Sequence, residues 1–428
     1  MTTETTKPPL DAPDGVNASD APPYVDVLQQ TDFRLLMAER LTSALAGVGF
    51  ATLIGYQLYT MTRDPLSLAW LGLIEAVPAL LLSLIGGYVA DRVNRKRIVL
   101  ATVAINIFCM LTLMVLARDP ERFGLAAIYS VVALFGFATG FFRPASSAFE
   151  QQVIPMRQAA RGASLTATMW LAGGIAGGPL AGFSIDFLGI PTTYGLIALL
   201  MFIAAVCFFL IPARPVPPPD EDETIWQSLR AGVRFVLRNQ PLAGSMALDL
   251  FAVLFGGAMA LLPIFATDIL GVGARGLGFL RTAPAIGSLL VMVMATRRPP
   301  TNHAGRNLLW CVAGFGVSMI AFGLSRNFVL SLVALFFSGI FDGVSMIIRE
   351  VIMRVLSPEQ MRGRIASVSW LFIGASNELG AFESGLFAKL LGAAPSVMAG
   401  GTVTLLVVAT VAATLPQLRQ LRLPDAEI

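Results

Sequence analysis

The sequence predicts an all-α membrane protein with twelve transmembrane helices in two pseudo-symmetric six-helix bundles. Three observations carry this expectation. Of 428 residues, 55% are hydrophobic and only 13% are charged, whereas a soluble domain carries roughly 25% charged residues. Apolar blocks of about 20 residues, the span of a hydrocarbon core, recur along almost the whole length. A weak internal repeat relates the two halves: residues 155–164 lie over 358–367, and the same offset places Gly177 on Gly380 and Gly182 on Gly385.

The chain opens with a polar stretch, 1–32, rich in Pro, Asp and Thr. It has no basic segment followed by a short apolar one, so it reads as a disordered cytoplasmic tail and not a signal peptide. The first bundle is expected over 33–211, with helices near 35–59, 68–89, 98–117, 125–148, 163–188 and 192–211. A polar linker, 212–241, follows. It holds a Pro-rich run at 212–219, an acidic run at 220–223 and Thr224 as a helix cap. The helix after the cap is amphipathic: Trp226, Leu229, Val233 and Val236 share one face, and Arg230, Arg234 and Arg238 form a basic stripe. Such a helix suits the inner leaflet surface, with a solvated linker helix as the alternative. The second bundle is expected over 242–416, with helices near 242–269, 277–295, 308–324, 328–355, 365–391 and 396–415, and a tail at 417–428.

An even number of crossings puts both termini on one side. Loops on that side hold Arg92, Arg95, Lys96, Arg97, Arg157, Arg161, Arg297, Arg298, Arg306, Arg354, Arg362 and Arg364, whereas the opposite loops hold only Arg63, Arg118, Arg122, Arg275 and Arg326. The positive-inside rule therefore predicts cytoplasmic termini and a place in the plasma membrane. Cys109, Cys207 and Cys311 all lie in apolar blocks, and the sole histidine, His303, sits in a loop. That pattern offers neither a disulfide framework nor a histidine-based metal site or triad. No phosphate-binding G-x-x-x-x-G-K-[ST] loop occurs, which disfavours an ATP-driven pump. Neither cofactor nor nucleic-acid partner is expected. A transporter is the leading reading over an enzyme.

The strongest local signal joins the second and third segments, Gly86-Gly87-Tyr88-Val89-Ala90-Asp91-Arg92-Val93-Asn94-Arg95-Lys96-Arg97. It resembles the signature loop of the major facilitator superfamily, G-x-x-x-D-R-x-G-R-K, through Gly87, Asp91, Arg92, Arg95 and Lys96. Asn94 stands where the family usually has Gly, and Asn tolerates a left-handed turn better than other side chains. The resemblance implies that Asp91 docks beside Arg362 and Arg364 and that the basic residues meet Glu150. In the fifth segment, Gly174, Gly178, Pro179 and Gly182 resemble the exporters' antiporter motif, although position 165 is Leu where that motif has Gly. Glycines at this spacing also serve plain helix packing. From Phe33 to Leu415 the chain resembles the branch containing enterobactin exporters and macrolide efflux proteins, as in Phe142-Arg143-Pro144-Ala145. The resemblance implies a monomeric antiporter in a bacterial inner membrane that exports a small amphipathic solute in exchange for protons. An uptake symporter, a lysolipid flippase of the same fold and a transport-inactive sensor or scaffold are the alternatives.

Charges inside the spans are the candidate pathway residues, because each needs a partner or a wet cavity. Glu75 falls in the second segment, towards its outer side, and Arg143 in the fourth, as a structural or gating residue. Asp249 falls in the seventh, while Asp342 and Arg349 share a face of the tenth. An axial rise of about 1.5 Å per residue puts Asp342 and Arg349 roughly 10 Å apart, which predicts that each finds its partner elsewhere. Asp342 is the first candidate for carrying the coupling proton and Glu75 the second.

Overall fold

The computed structural model describes residues 27–155, 158–215, 225–295, 302–358 and 361–422. The N-terminal tail before residue 27, the acidic run 220–223 and the side chains of Trp226, Leu229, Arg362 and Arg364 lie outside what is described. All described elements are helical. They are α1 (Thr31–Thr62), α2 (Pro65–Ala90), α3 (Arg95–Leu116), α4 (Pro120–Val153), α5 (Ala159–Leu210), α6 (Ile225–Arg238), α7 (Gln240–Gly256), α8 (Gly273–Ala295), α9 (Ala304–Leu324), α10 (Phe328–Leu356), α11 (Arg362–Leu391) and α12 (Ala393–Thr414).

Helix starts follow from local chemistry. Asp64, Asn94, Asp119, Asn239 and Asn327 each accept a hydrogen bond from a backbone N–H of the first turn they precede, satisfying donors that the helix itself leaves free. Proline stands in the first two positions of α2, α4 and α7, where its missing N–H costs nothing.

Ten described helical segments are long and apolar enough to cross a membrane. One of them, α5, is 52 residues long and turns back at Gly189, whose φ of 80° and ψ of 167° break the helix into two crossings. α11 carries Glu383 and Lys389 among its charges and falls outside that set, yet it packs with α2, α7 and α12 as a full member of the bundle. This is consistent with twelve crossings. Gly392 (φ 94°) makes the corresponding turn between α11 and α12, at the same offset that relates 155–164 to 358–367. Gly136 and Gly140 of α4, which back onto α2, are likewise matched by Gly339 and Gly343 of α10, which back onto α8. The repeat is therefore carried by backbone contact points more than by side chains. The seventh crossing departs from one even helix. After Gly256-Gly257 it continues as short turns of changing pitch through Leu262-Pro263 to Ile269, as a glycine pair and a proline dictate.

The two halves have unequal ends. At the end that carries the chain termini, each half has its own core. One holds Phe33, Leu36, Val99, Phe149 and Phe208, the other Leu242, Leu308, Ile348, Ile352 and Leu418. At the distal end one core draws Tyr59 and Leu68 of the first half together with Leu261, Phe265, Leu277, Phe322 and Leu335 of the second, beside a core of Leu113, Ile128, Ile185 and Tyr194 that Ala274 of the second half joins.

Candidate translocation pathway

Contacts between the halves run along two helix pairs, α5 with α8 and α2 with α11. Two glycine faces of α5 have separate jobs. A Cβ on Gly173 would meet the Leu41 carbonyl of α1 at 2.6 Å, and one on Gly177 the Leu45 carbonyl at 2.8 Å. One on Gly178 would meet the Gly278 carbonyl at 2.8 Å, and one on Gly182 the Ala274 carbonyl at 2.5 Å, both in α8 across the divide. The Thr282 hydroxyl donates to the Ile175 carbonyl at 2.8 Å. One turn further towards the termini, Gly174 has nothing within 4 Å. Along this seam the close contacts therefore run from Ile175 towards the distal end. On the second seam Ala69 lies against Gly385 and Leu80 against Gly374, and Trp70 meets Phe382 edge-on at 5.8 Å.

Ion pairs latch the distal end. Arg63 reaches Asp268 at 2.6 Å, Lys389 reaches Asp64 at 3.0 Å and Arg275 reaches Asp186 at 2.7 Å. The Tyr59 hydroxyl donates to the same Asp268. The carboxylate of Asp64 is held below its usual range by the Leu66 N–H it accepts and by Lys389. That latch is consequently intact at neutral pH and is lost only as pH falls through this lowered range. Exposed pairs of this kind contribute about 0.2–1 kcal/mol each. Lys389→Gln should shift the balance between states by no more than about fivefold. Double electron–electron resonance between spin labels on the loops at Thr62 and Gly392 should read that modest gain in long distances, and an unchanged distribution would refute it.

At the terminal end the signature loop is tied to its own half. Asp91 pairs with Arg95 at 3.3 Å and remains exposed. Arg95 also reaches the Ala90 and Ala148 carbonyls, and Arg92 stacks on Tyr88 at 3.7 Å. Lys96 donates to the Phe209 and Ile211 carbonyls, closing the end of α5. Two expectations are corrected here. Asn94 does not adopt a left-handed turn: its φ is −56°, and its side chain caps α3 by accepting from the Lys96 N–H. Glu150 pairs not with the basic loop but with Arg40 of α1, because Arg95 and Lys96 are occupied by carbonyls. Arg40 also lies 3.8 Å from Glu39, which accepts from the Ser43 hydroxyl.

Two charge groups lie within the helices. Glu75 of α2 is backed by Gly136, near the middle of its helix and not at a rim. It is within electrostatic reach of Arg143 and Arg281. The second group is Asp249, Arg349 and Asp342. Arg349 forms an ion pair with Asp249 and lies 4.0 Å from Asp342. Arg349 thus finds its ion-pair partner on α7, as expected, although its side chain also comes to 4.0 Å from Asp342, nearer than the axial spacing suggests. Axial rise measures Cα separation, whereas the long arginine side chain leans back towards the helix N-terminus and over Asp342. Asp249 and Asp342 share a cavity of about 20 Å³ with Ala252, Cys311, Phe315 and Ser345, enough for one water molecule.

A sequence model of the Major Facilitator Superfamily matches residues 40–301, more than half of the chain. The chain belongs to the major facilitator superfamily. As a member it is a multi-pass membrane transporter for small solutes, embedded in the bilayer. It is 27% identical over 342 residues to the enterobactin exporter EntS of Shigella boydii serotype 18, covering 79% of this chain and 81% of that protein. An enterobactin exporter EntS from Escherichia coli O1:K1 is 26% identical over the same share. Among solved structures, the chain is similar in fold to a POT family transporter in complex with 5-aminolevulinic acid. The TM-score is 0.71 at 13% identity, over 90% of this chain and 96% of that one. It is also similar in fold to the nucleoside transporter NupG, with a TM-score of 0.68 at 13% identity, over 90% and 98% of the two chains.

Glu75 and Asp342 lie near the middle of their helices, Arg143, Asp249 and Arg349 lie nearer the terminal ends of theirs, and Asp91 and Glu150 lie at the terminal end. Three features escaped the sequence reading: Arg281, the pairing of Arg40 with Glu150, and the Tyr59–Asp268 contact. Arg281 was legible as a charge within an apolar span. The other two join residues 110 and 209 positions apart, which no local pattern reports.

Proposed function

We propose that the protein is a secondary active exporter that works by alternating access and moves a small amphipathic organic solute out of the cell in exchange for protons. The observation that carries this reading is the similarity to enterobactin exporters over about four-fifths of both chains. Basic loops at the terminal end support a cytoplasmic orientation for it. With that orientation, the separate terminal cores and the shared distal core correspond to a cavity open to the cytoplasm and latched towards the outside. Docking of Asp91 beside the start of α11 is the expected closing contact of the opposite state. Asp342, half-exposed beside the Arg349–Asp249 pair, is the proposed proton carrier.

The test is a panel of siderophore-like and drug-like amphiphiles in everted vesicles containing the full-length protein, with and without a proton gradient. At least one solute should accumulate in the vesicles only when the gradient is present. Accumulation that ignores the gradient, or that occurs only in the uptake direction, would refute proton-coupled export.

A further inference from the structure

Glu39 of α1 is only 2% exposed, and its two carboxyl oxygens have unlike surroundings. Oε1 accepts from the Ser43 hydroxyl at 2.8 Å. Oε2 is sealed from solvent and accepts no hydrogen bond. Arg40 holds its Nε 3.8 Å from that oxygen, beyond hydrogen-bond range, and commits its Nη2 to Glu150 of α4. Among the described residues no other cation lies within ion-pair distance of Glu39. The remaining titratable group beside it is the Cys207 thiol, on the second arm of α5. Burying an ionised oxygen that has no donor is costly, and a bound proton removes that cost.

The second half repeats this arrangement. Arg349 forms an ion pair with Asp249 and stands 4.0 Å from Asp342. In each half, then, one arginine ties the first crossing of that half to the fourth, held by one carboxylate and standing apart from another. The looser carboxylate is Asp342 in the second half and Glu39 in the first. The group around Glu39 also leads to the signature loop. Glu150 lies two residues beyond Ala148, whose carbonyl accepts from Arg95 at 3.4 Å, and Arg95 pairs with Asp91 at 3.3 Å. Neighbouring charges therefore run from the interior of the first half, at Glu39, to its terminal surface, at Asp91.

We infer that Glu39 is a second proton-binding site, in the first half, and that it controls the terminal gate by setting the partner of Arg40. With Glu39 protonated, Arg40 stays with Glu150, as in this structure. When Glu39 loses its proton to the terminal side, its negative charge draws Arg40 away from Glu150. Glu150 is then free for Arg95, and Asp91, released by Arg95, docks beside the start of α11. Falling pH thus favours the terminal-open state and rising pH the terminal-closed one, because the two states differ in their affinity for the proton. This inference rests on the proton-coupled reading above and adds to it a residue in the first half.

The experiment needs no solute. Full-length protein in nanodiscs carries spin labels at Val93 and Asn302, exposed positions in terminal loops of the two halves. Double electron–electron resonance is recorded from about pH 5 to about pH 9, a window that covers buried carboxyls. The short-distance population should grow with pH in the parent and in Asp342→Asn. Glu39→Gln, which imitates the protonated form, should hold the long distances throughout. Glu39→Asp should restore the response, and melting temperatures control for misfolding. Infrared difference spectra over the same range should show a protonated-carboxyl band that Glu39→Gln removes. Glu150→Gln frees Arg40 for Glu39 and should move the titration of that band to lower pH by about one unit, the effect of a gained cationic partner. A parent indifferent to pH, or a folded Glu39→Gln protein that titrates like the parent, would overturn the inference. So would a band that stays in place or moves to higher pH in Glu150→Gln, which decides the matter even where Glu39→Gln does not fold. Everted vesicles separate the two levels. Gradient-driven solute accumulation with parent-like titration of Glu39→Gln would keep the exporter reading and remove Glu39. A Glu39-dependent transition without gradient-driven accumulation would keep the proton site and remove the exporter reading.

Discussion

Asp342→Asn is expected to abolish solute accumulation driven by a proton gradient while leaving solute exchange in de-energised vesicles. A proton carrier must be neutral in one state and ionised in the other, and Asn fixes the neutral form. The structure supplies the means of switching. Arg349 is committed to Asp249 and lies 4.0 Å from Asp342, and a water-sized cavity joins the two carboxylates. A small shift of Arg349 towards Asp342 favours its ionised form, and a shift away favours the protonated one. Removing Asp342 leaves the Asp249–Arg349 pair intact, so the variant should fold. Arg349→Ala, in contrast, leaves Asp249 buried without its cation, a defect that costs about 3–5 kcal/mol, and should reduce the yield of folded protein. Gradient-driven accumulation by a well-folded Asp342→Asn protein would transfer the role to Glu75. Loss of exchange as well would place Asp342 in solute binding.

Gly182→Val should have the second large effect, on the opposite seam. Gly182 lies where α5 and α8 touch at the distal end, and any side chain there enters the space of the Ala274 carbonyl. Overpacking of this kind costs about 1–3 kcal/mol. The cost falls only on the state in which the distal ends are together, so about 2 kcal/mol moves the equilibrium roughly thirtyfold towards the distal-open state. Transport should fall steeply because the return step becomes uphill, and cysteines in the distal loops should react faster with impermeant maleimide. Gly174→Ala is the control. Its position has open space in this state, and it should react and transport like the parent. Unchanged labelling in Gly182→Val would mean that the α5–α8 seam does not set the distal gate.

Much of this architecture could be read from the chain alone. Span length and charge density follow from the bilayer's thickness and low dielectric, so the apolar segments were legible. The turn between the fifth and sixth crossings lies at Gly189, between the segments expected at 163–188 and 192–211. The signature loop and the α5 glycines were legible because they are short-range patterns. One local inference nevertheless failed and another was incomplete. Asn94 was read as a tolerant substitute for Gly, whereas its side chain makes it a helix cap. The Asp342–Arg349 gap was judged on axial rise, without the reach of the arginine side chain.

By itself, then, the sequence determined an α-helical, two-fold repeated transporter and the set of charges that must be accommodated within it, because the cost of burying a polar group is a property of the residue and its depth. Only the tertiary structure decided the partners of those charges. Arg40 was given to Glu150, Asp249 to Arg349, and Asp268 to Arg63 and Tyr59. Pairing across helices depends on how ridges and glycines bring backbones together, and residues far apart in sequence carry no local mark of the neighbour they will meet.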